Sequence, residues 1–332
     1  MVAVAAAVIV LLTAGSAGSR LETGANDLAV RGAAGYLSLR ARLDAGGRFL
    51  PVHLLSLASA LASSAFWGAG LQVAWGTAPL LPDPLDLAPA LAQLSLTPTT
   101  DSVRHLALKS PGSARVSVVP LWNQKADLGE GWVAVWGAVP LSSESNRKRL
   151  VGLVAAGALV ALAGAVRGWP GVRAAAGLGG TAGLALLGVL ASRGIDRAGR
   201  EATDLSLLRL RRLVEIAASS REVHVEDLPI LLPGVSTRVL RPPFERRSDP
   251  PVVRDSMGGE PRAFVIASLR GGNGLEIGVR PLEADLRPYH WRIWLATLAG
   301  ILGFLLASWA PGRVLPLGWA TGRPDGSGHF SG

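Results

Sequence analysis

The sequence predicts an α+β membrane protein in which four transmembrane helices carry two small mixed domains. In each domain an amphipathic helix is expected to pack on an antiparallel sheet. Three observations lead to this fold class. Only 17% of the 332 residues are charged, whereas a soluble domain carries roughly 25% charge. Four apolar segments occur along the chain, and two similar strand pairs each precede one of them.

Four apolar segments are predicted to form the transmembrane helices, and they cover 1–16, 150–167, 174–192 and 291–310. Each of the last three is about long enough to cross a hydrocarbon core of roughly 30 Å. Tryptophans lie at both ends of the last segment, as expected at a membrane interface. The first segment is shorter and is expected to be a retained helix. A cleaved signal peptide is the alternative, because "AGSAGS" resembles a processing site.

The turn between the second and third segments contains Arg167 and Arg173 and is short enough for a tight membrane hairpin. These arginines favour a cytoplasmic hairpin, although basic residues near the opposite helix ends favour the reverse orientation. The Ala-, Gly- and Arg-rich composition is typical of a bacterial protein. We therefore expect a protein of the bacterial inner (cytoplasmic) membrane with periplasmic soluble domains.

Two similar strand pairs indicate an internal duplication. The first reads Arg115-"VSVVPL", a polar turn, and Gly131-"WVAVWGAVPL"; the second reads Arg262-"AFVIASL", a glycine-rich turn, and "LEIGVRPL". Runs of β-forming residues around such turns predict hairpins. Both pairs end on Pro-Leu, at 140–141 and 281–282, shortly before an apolar segment.

The beginnings of the two regions also match. "NDLAVRG" and "TDLSLLRL" each open a stretch with leucines at helical spacing, which predicts amphipathic helices. Asp27 and Asp204 occupy the positions expected of N-caps. The predicted domains are 20–147 and 194–290, followed by a tail at 311–332. We expect residues 20–147 to fold alone.

This order of elements resembles the extracytoplasmic PAS-like or Cache-like sensory regions of bacterial transmembrane receptors, especially sensor histidine kinases. In such receptors a long helix rises from the membrane, a small antiparallel sheet packs against it, and the final strand returns to the next membrane helix. The resemblance implies a sensory input module. It does not extend to a kinase output, since only about twenty residues follow Pro311.

Aromatic residues make the first region the candidate ligand-binding domain. The candidate ligand-binding residues are Tyr36, Trp67, Trp75, Trp122, Trp132 and Trp136. Together they could enclose a small apolar or cationic ligand. Packing in the domain core and contact with a partner protein are the alternatives.

Residues for catalysis are not recognisable in the sequence. The five histidines lack the spacing of a zinc site, the absence of cysteine excludes thiolate chemistry, and the predicted membrane helices carry no internal charge. We therefore expect a non-enzyme without metal or cofactor. The scattered basic residues do not indicate a nucleic-acid partner.

Two functions remain open at this stage. The first is a signal-input or ligand- and partner-binding module that contacts membrane lipid, a protein supplying the output and, in a homodimer, a second copy. The alternative is a structural accessory subunit of a larger bacterial respiratory or photosynthetic membrane complex.

Overall fold

The computed structural model describes the long helices and two sheets. The described residues are 2–45, 50–66, 68–75, 78–87, 91, 103–107, 115–123, 128–139, 170–219, 224, 228, 232, 235–241, 252–257, 260–269 and 272–309. The predicted transmembrane segment 150–167 and the tail 311–332 lie outside them. The predicted segment 174–192 lies within a helix, and most of 291–310 does as well.

Four α-helices are described: α1 (Val2–Ala45), α2 (Pro51–Ser64), α3 (Pro170–Ser219) and α4 (Arg287–Trp309). A 3₁₀ helix, Leu282–Leu286, leads directly into α4. Two of these helices, Val2–Ala41 within α1 and Leu282–Leu306 around α4, are long and apolar enough to cross a membrane.

The two long helices correct one expectation from the sequence. Asp27 and Asp204 were predicted to begin separate amphipathic helices, but each lies inside a continuous helix that includes the preceding apolar segment. Small polar residues do not end α1, because their hydroxyls bond back to carbonyls one turn earlier. Thr13 bonds to the Ile9 carbonyl at 2.7 Å, and Ser16 to that of Leu12 at 2.9 Å.

The first sheet has five antiparallel strands in the order β2-β1-β5-β4-β3. They are β1 (Gly70–Trp75), β2 (Ala78–Pro79), β3 (Arg104–Ala107), β4 (Arg115–Asn123) and β5 (Leu128–Trp136). The predicted hairpin is confirmed as the β4–β5 pair. We call the last strand of each sheet in chain order its closing strand. In the first sheet this is β5, which lies in the middle, between β1 and β4.

The second sheet has four antiparallel strands in the order β6-β9-β8-β7. They are β6 (Ser236–Leu240), β7 (Val252–Met257), β8 (Glu260–Ser268) and β9 (Gly274–Val279). The second predicted hairpin is confirmed as β8–β9. We call α1 with the first sheet, and α3 with the second sheet, the two units. Apart from the short strand β2, both sheets have the same strand order, in which the last strand of each unit pairs with its first strand. The duplication inferred from the hairpins therefore extends to sheet topology.

A single hydrophobic core joins both sheets to α1 and α3. It includes Leu37 of α1, Leu213 of α3, Val133 of β5 and Ile277 of β9, all fully buried. The long helices lie close together: a Cβ atom on Gly32 would lie 2.9 Å from the side chains of both Leu210 and Leu213. Because the core is shared, the two units are parts of one packed body.

Candidate functional site at the helix–strand junctions

The first junction ties α1 to the exit of the closing strand β5. Asn26 is completely buried, and its Nδ2 donates a hydrogen bond to the Arg115 carbonyl at 2.9 Å. Its Oδ1 accepts the N–H of Ala138, two residues beyond β5, also at 2.9 Å. One amide side chain on α1 therefore holds the start of β4 and the end of β5 at a fixed position along the helix.

Arg209 of α3 binds the same point of the chain from the other unit. Its Nη1 donates to the carbonyl of Ala138, whose N–H is bound by Asn26. Burial lowers the pKa of the Arg209 guanidinium from its ordinary value. No carboxylate in the described part of the chain pairs with this guanidinium. The exit of β5 is thus held by both long helices.

Asp27, the next residue of α1, ties the far side of the first sheet to the helix. Its Oδ1 accepts the Ser117 hydroxyl at 2.7 Å, and His105 Nδ1 lies 3.5 Å away from the same oxygen. A serine, a histidine and an aspartate can form a nucleophilic site. Here Ser117 is only 1% exposed and donates to the carboxylate, so the arrangement holds β3 and β4 against α1.

A second junction joins α3 to the chain that follows β9. Thr203 is completely buried, and its Oγ1 accepts the Leu282 N–H at 3.0 Å. The same oxygen lies 2.6 Å from Glu283 Oε2, to which it donates. Leu282 begins the 3₁₀ helix that leads into α4, so Thr203 binds the chain where the closing strand passes towards a candidate membrane helix.

Asp204 completes the second junction through Arg254 of β7. Arg254 Nη2 lies 2.6 Å from Asp204 Oδ1, and its Nε lies 3.1 Å from Glu283 Oε1. Burial acts to lower the pKa of Arg254, but the hydrogen bonds to Glu283 and Asp204 outweigh it and raise the pKa. This guanidinium joins a strand, the long helix and the entrance to α4.

The two junctions are equivalent in the duplicated units. In "NDL" and "TDL" the first residue is buried and accepts an N–H from the chain just after the closing strand. The aspartate that follows contacts the edge strand beside the hairpin in each sheet. Asp27 lies near His105 of β3, and Asp204 lies near Arg254 of β7. Since these residues are equivalent in role as well as in sequence, we treat the pair of junctions as the candidate functional site.

The described candidate ligand-binding aromatics lie on two opposite faces of the first sheet. Tyr36 is buried in the shared core and Trp75 packs against it. Trp132 and Trp136 belong to a separate cluster that includes Leu87 and Leu91, on the face away from the helices. Strand alternation explains the division, because Val133 and Val135 occupy the helix-facing positions of β5. The structure does not bring these four residues together into one pocket.

The other two candidate aromatics are not described at the level of their side chains. Trp67 lies outside the described residues, and Trp122 is placed only by its backbone, opposite Gly129 in the β4–β5 pair.

Two open clefts flank α1. One has a volume of about 640 Å³ between α1 and the second sheet, lined by Arg20, Asp27 and Arg262 among others. The other has a volume of about 920 Å³ and follows the apolar part of α1 from Val8 to Thr23. Neither cleft is lined by any of the described candidate aromatics.

A further polar contact joins α3 to the beginning of α4. His290 Nδ1 lies 2.8 Å from Ser192 Oγ, and His290 Nε2 lies 2.9 Å from Asp196 Oδ1. Sequence reasoning missed this contact, although the spacing of Ser192 and Asp196 by one helical turn was a visible signal. No group of three possible metal-binding side chains occurs among the described residues.

Comparison of the chain with known protein families, with curated proteins and with solved structures gave no match.

Proposed function

We propose that this protein is a non-catalytic component of the bacterial inner membrane, with four membrane-spanning helices and two periplasmic sensory-type units that act as signal-input or ligand- and partner-binding modules. The observation that carries the proposal is the repeated junction. In both units a buried side chain on a long helix is hydrogen-bonded to the backbone just after the closing strand.

This geometry suits the transmission of small displacements. A ligand or partner that shifts β5 relative to β4 changes the positions of Ala138 and Arg115, both bound by Asn26. Because Asn26 lies on a helix that continues into an apolar segment, the shift acts directly on that helix. The same reasoning applies to Thr203, β9 and α4.

The resemblance to PAS-like and Cache-like sensory regions supports the same proposal. A long helix, an antiparallel sheet packed on it and a last strand that returns to a membrane helix are the elements that the resemblance implies. The second unit has this order in α3, the β6–β9 sheet and α4. The split of the aromatic residues between two faces favours a ligand at one face of the sheet over one enclosed by all six.

A ligand screen followed by hydrogen exchange tests the proposal. The full chain in detergent is screened by thermal unfolding against amino acids, carboxylates, sugars and organic cations. A compound that raises the unfolding temperature is then compared on the wild type and on Asn26→Leu. We expect the compound to protect amides of α1 in the wild type but not in the variant. If no compound acts and no output partner is co-purified, the sensory role is wrong.

The exposed apolar surface of α4 also fits the alternative function, an accessory subunit of a larger membrane complex. Leu298, Leu302 and Leu305 are more than half exposed and lie at helical spacing. This row contacts lipid in a solitary chain and another protein in an assembly. Purification in a mild detergent separates the two, since a stoichiometric complex favours the accessory subunit and a monodisperse single chain contradicts it.

A further inference from the structure

The chain that leaves each closing strand contacts the long helix of the other unit as well as its own. In the first unit the contact is polar: Ala138 is bound through its N–H by Asn26 of α1 and through its carbonyl by Arg209 of α3. Arg209 belongs to the second unit and is buried. Hydrogen bonds from a charged donor are among the stronger polar contacts in a protein. A movement of α3 therefore acts on the exit of β5.

In the second unit the contact with the other helix is apolar. Leu282, just after β9, donates its N–H to Thr203 of α3. Its side chain packs on α1, since a Cβ atom on Gly24 would lie 2.8 Å from Leu282 Cδ2. The same side chain packs against both the shared core and the buried cluster between α1, α3 and α4. Because packed interiors have little free space, a movement of α1 displaces Leu282 and the start of α4 with it.

These two crossed contacts differ in chemistry but have the same consequence. Each exit is hydrogen-bonded through its backbone N–H to its own long helix and is also in contact with the long helix of the other unit. A displacement of either closing strand therefore changes contacts on both helices. Where binding at one site changes the affinity of another, the second site affects the first by the same factor.

We propose that the two units are energetically coupled through these crossed contacts and act as one input, with Arg209 as the positioning residue that links the exit of β5 to α3. The inference rests on the proposed sensory function and adds its regulation, because binding at one unit then changes the affinity of the other. The coupling is a property of the folded chain, so substitutions alone can measure it.

Hydrogen exchange of the two junction amides tests the proposal in the full chain in detergent. The Ala138 N–H reports on the first junction and the Leu282 N–H on the second, because each is bound by a side chain of a long helix. Thr203→Val removes the acceptor at the second junction and keeps the branched shape of the side chain. We expect it to speed exchange of the Ala138 N–H by about fivefold or more, since coupled sites open together.

Two backgrounds show whether Arg209 carries the effect. In Arg209→Met, the addition of Thr203→Val should leave exchange of the Ala138 N–H at the rate of Arg209→Met alone. Arg211→Met is the matched control, because Arg211 Nε pairs with Glu215 Oε1 one turn along α3 at 2.7 Å. In that background the effect of Thr203→Val should persist.

The amide of Val133 separates coupling from a general loss of stability. Val133 is fully buried in the middle of β5 and pairs with both neighbouring strands, so its N–H exchanges by opening of the whole fold. Coupling predicts that exchange increases more at Ala138 than at Val133. A general loss of stability would speed both by the same factor.

A second perturbation and a reverse experiment complete the test. If Thr203→Val does not fold, Arg254→Met takes its place, because it removes the ion pairs of the second junction. In the reverse direction, Ser117→Ala removes a hydrogen-bond donor at the first junction. We expect it to speed exchange of the Leu282 N–H.

Three results would overturn the proposal. An Ala138 amide that changes no more than that of Val133 would show that the units are not coupled. An equal effect of Thr203→Val with and without Arg209 would assign the coupling to the shared core instead. A Leu282 amide insensitive to Ser117→Ala would contradict the reverse effect. None of these results involves a ligand, so the sensory role itself is decided separately by the ligand screen.

Discussion

At the scale of single residues, the backbone of Ala138 is the point where the two units meet. Its N–H is bound by Asn26 and its carbonyl by Arg209, so α1 and α3 hold the same peptide segment. A buried backbone group that loses its partner costs about 1–3 kcal/mol. Substitutions at these two side chains therefore test how this segment is held.

Asn26→Ala should lower the stability of the protein substantially. The change leaves the Ala138 N–H and the Arg115 carbonyl without their side-chain partner, and we expect a loss of about 2–4 kcal/mol. Thermal unfolding in detergent measures the loss. Ser63→Ala is the control, because Ser63 is exposed and bonds only within its own helix. A loss no larger than that of the control would contradict the assigned role of Asn26.

Arg209→Met should cost much less than Asn26→Ala. Burial lowers the pKa of this base, so the folded protein binds the proton less tightly than the unfolded chain does. The resulting cost is fully present below the lowered pKa of the folded state and declines as pH rises from there to the ordinary pKa of arginine. Removing the charge offsets the lost hydrogen bond, and we expect a net change within about 1 kcal/mol.

Arg209→Lys provides the comparison for this prediction. Lysine keeps the buried charge but loses the planar guanidinium, so its unfolding temperature should fall below that of Arg209→Met. The opposite order would show that the charge itself is compensated in the folded state.

At the scale of elements, α1 combines open and tightly packed glycines on one continuous helix. A Cβ on Gly18 would meet no described atom within 4 Å, whereas one on Gly32 would press on Leu210 and Leu213. The packing of α1 against α3 therefore requires glycine at position 32, whereas a small side chain fits at position 18.

Alanine substitutions at these two glycines should have opposite effects. Gly18→Ala should stabilise the protein by about 0.5–1 kcal/mol, because alanine is the better helix former. Gly32→Ala should destabilise it by about 1–3 kcal/mol through overpacking. Unfolding temperatures of the two variants check the signs. A stabilising Gly32→Ala would mean that α1 and α3 are not held at this separation.

The strand pair β1–β5 has a similar constraint at Gly70. Gly70 lies opposite Trp136, and a Cβ there would collide with the indole ring. Gly70→Ala should cost about 1–3 kcal/mol in the wild type but little in a Trp136→Ala background. A double-mutant cycle measures this coupling. Additive effects would place the indole elsewhere and reopen a ligand-facing role for Trp136.

At the scale of the whole molecule, the shared core makes the two units interdependent. The sequence led us to expect that residues 20–147 would fold alone. In the structure Leu37 of α1 belongs to the same buried cluster as Leu213 and Ile277 of the second unit. The fragment would expose that apolar surface to water, which is unfavourable in proportion to its area.

The fragment 20–147 should therefore lack the cooperative unfolding of the full chain. Its near-ultraviolet circular dichroism should be weak and its thermal transition broad, measured against the full chain in the same detergent. A sharp transition in the fragment at the temperature of the full chain would contradict the shared core.

The sequence predicted the parts of the structure that depend on local periodicity, and missed those that depend on long-range contacts. The two hairpins and their sheets follow from alternation and turn residues, whereas the joining of helices at Asp27 and Asp204 was hidden by small polar residues. The partner of Asn26 could not be inferred, because Ala138 contributes only its backbone and lies 112 residues away. The aromatic residues were visible, but their division between two faces depends on the register of β5.

The unbroken length of the two long helices sets the kind of motion that the junctions can pass on. At about 1.5 Å per residue, a helix of 44 residues is roughly 66 Å long. Such a rod bends easily but hardly shortens, because axial compression would strain every hydrogen bond along it. A pull at Asn26 along the axis therefore arrives at the N-terminal end almost undiminished, whereas a sideways push is absorbed as curvature. For the proposed sensory role, axial sliding of α1 and α3 is therefore the motion that we expect to carry the signal.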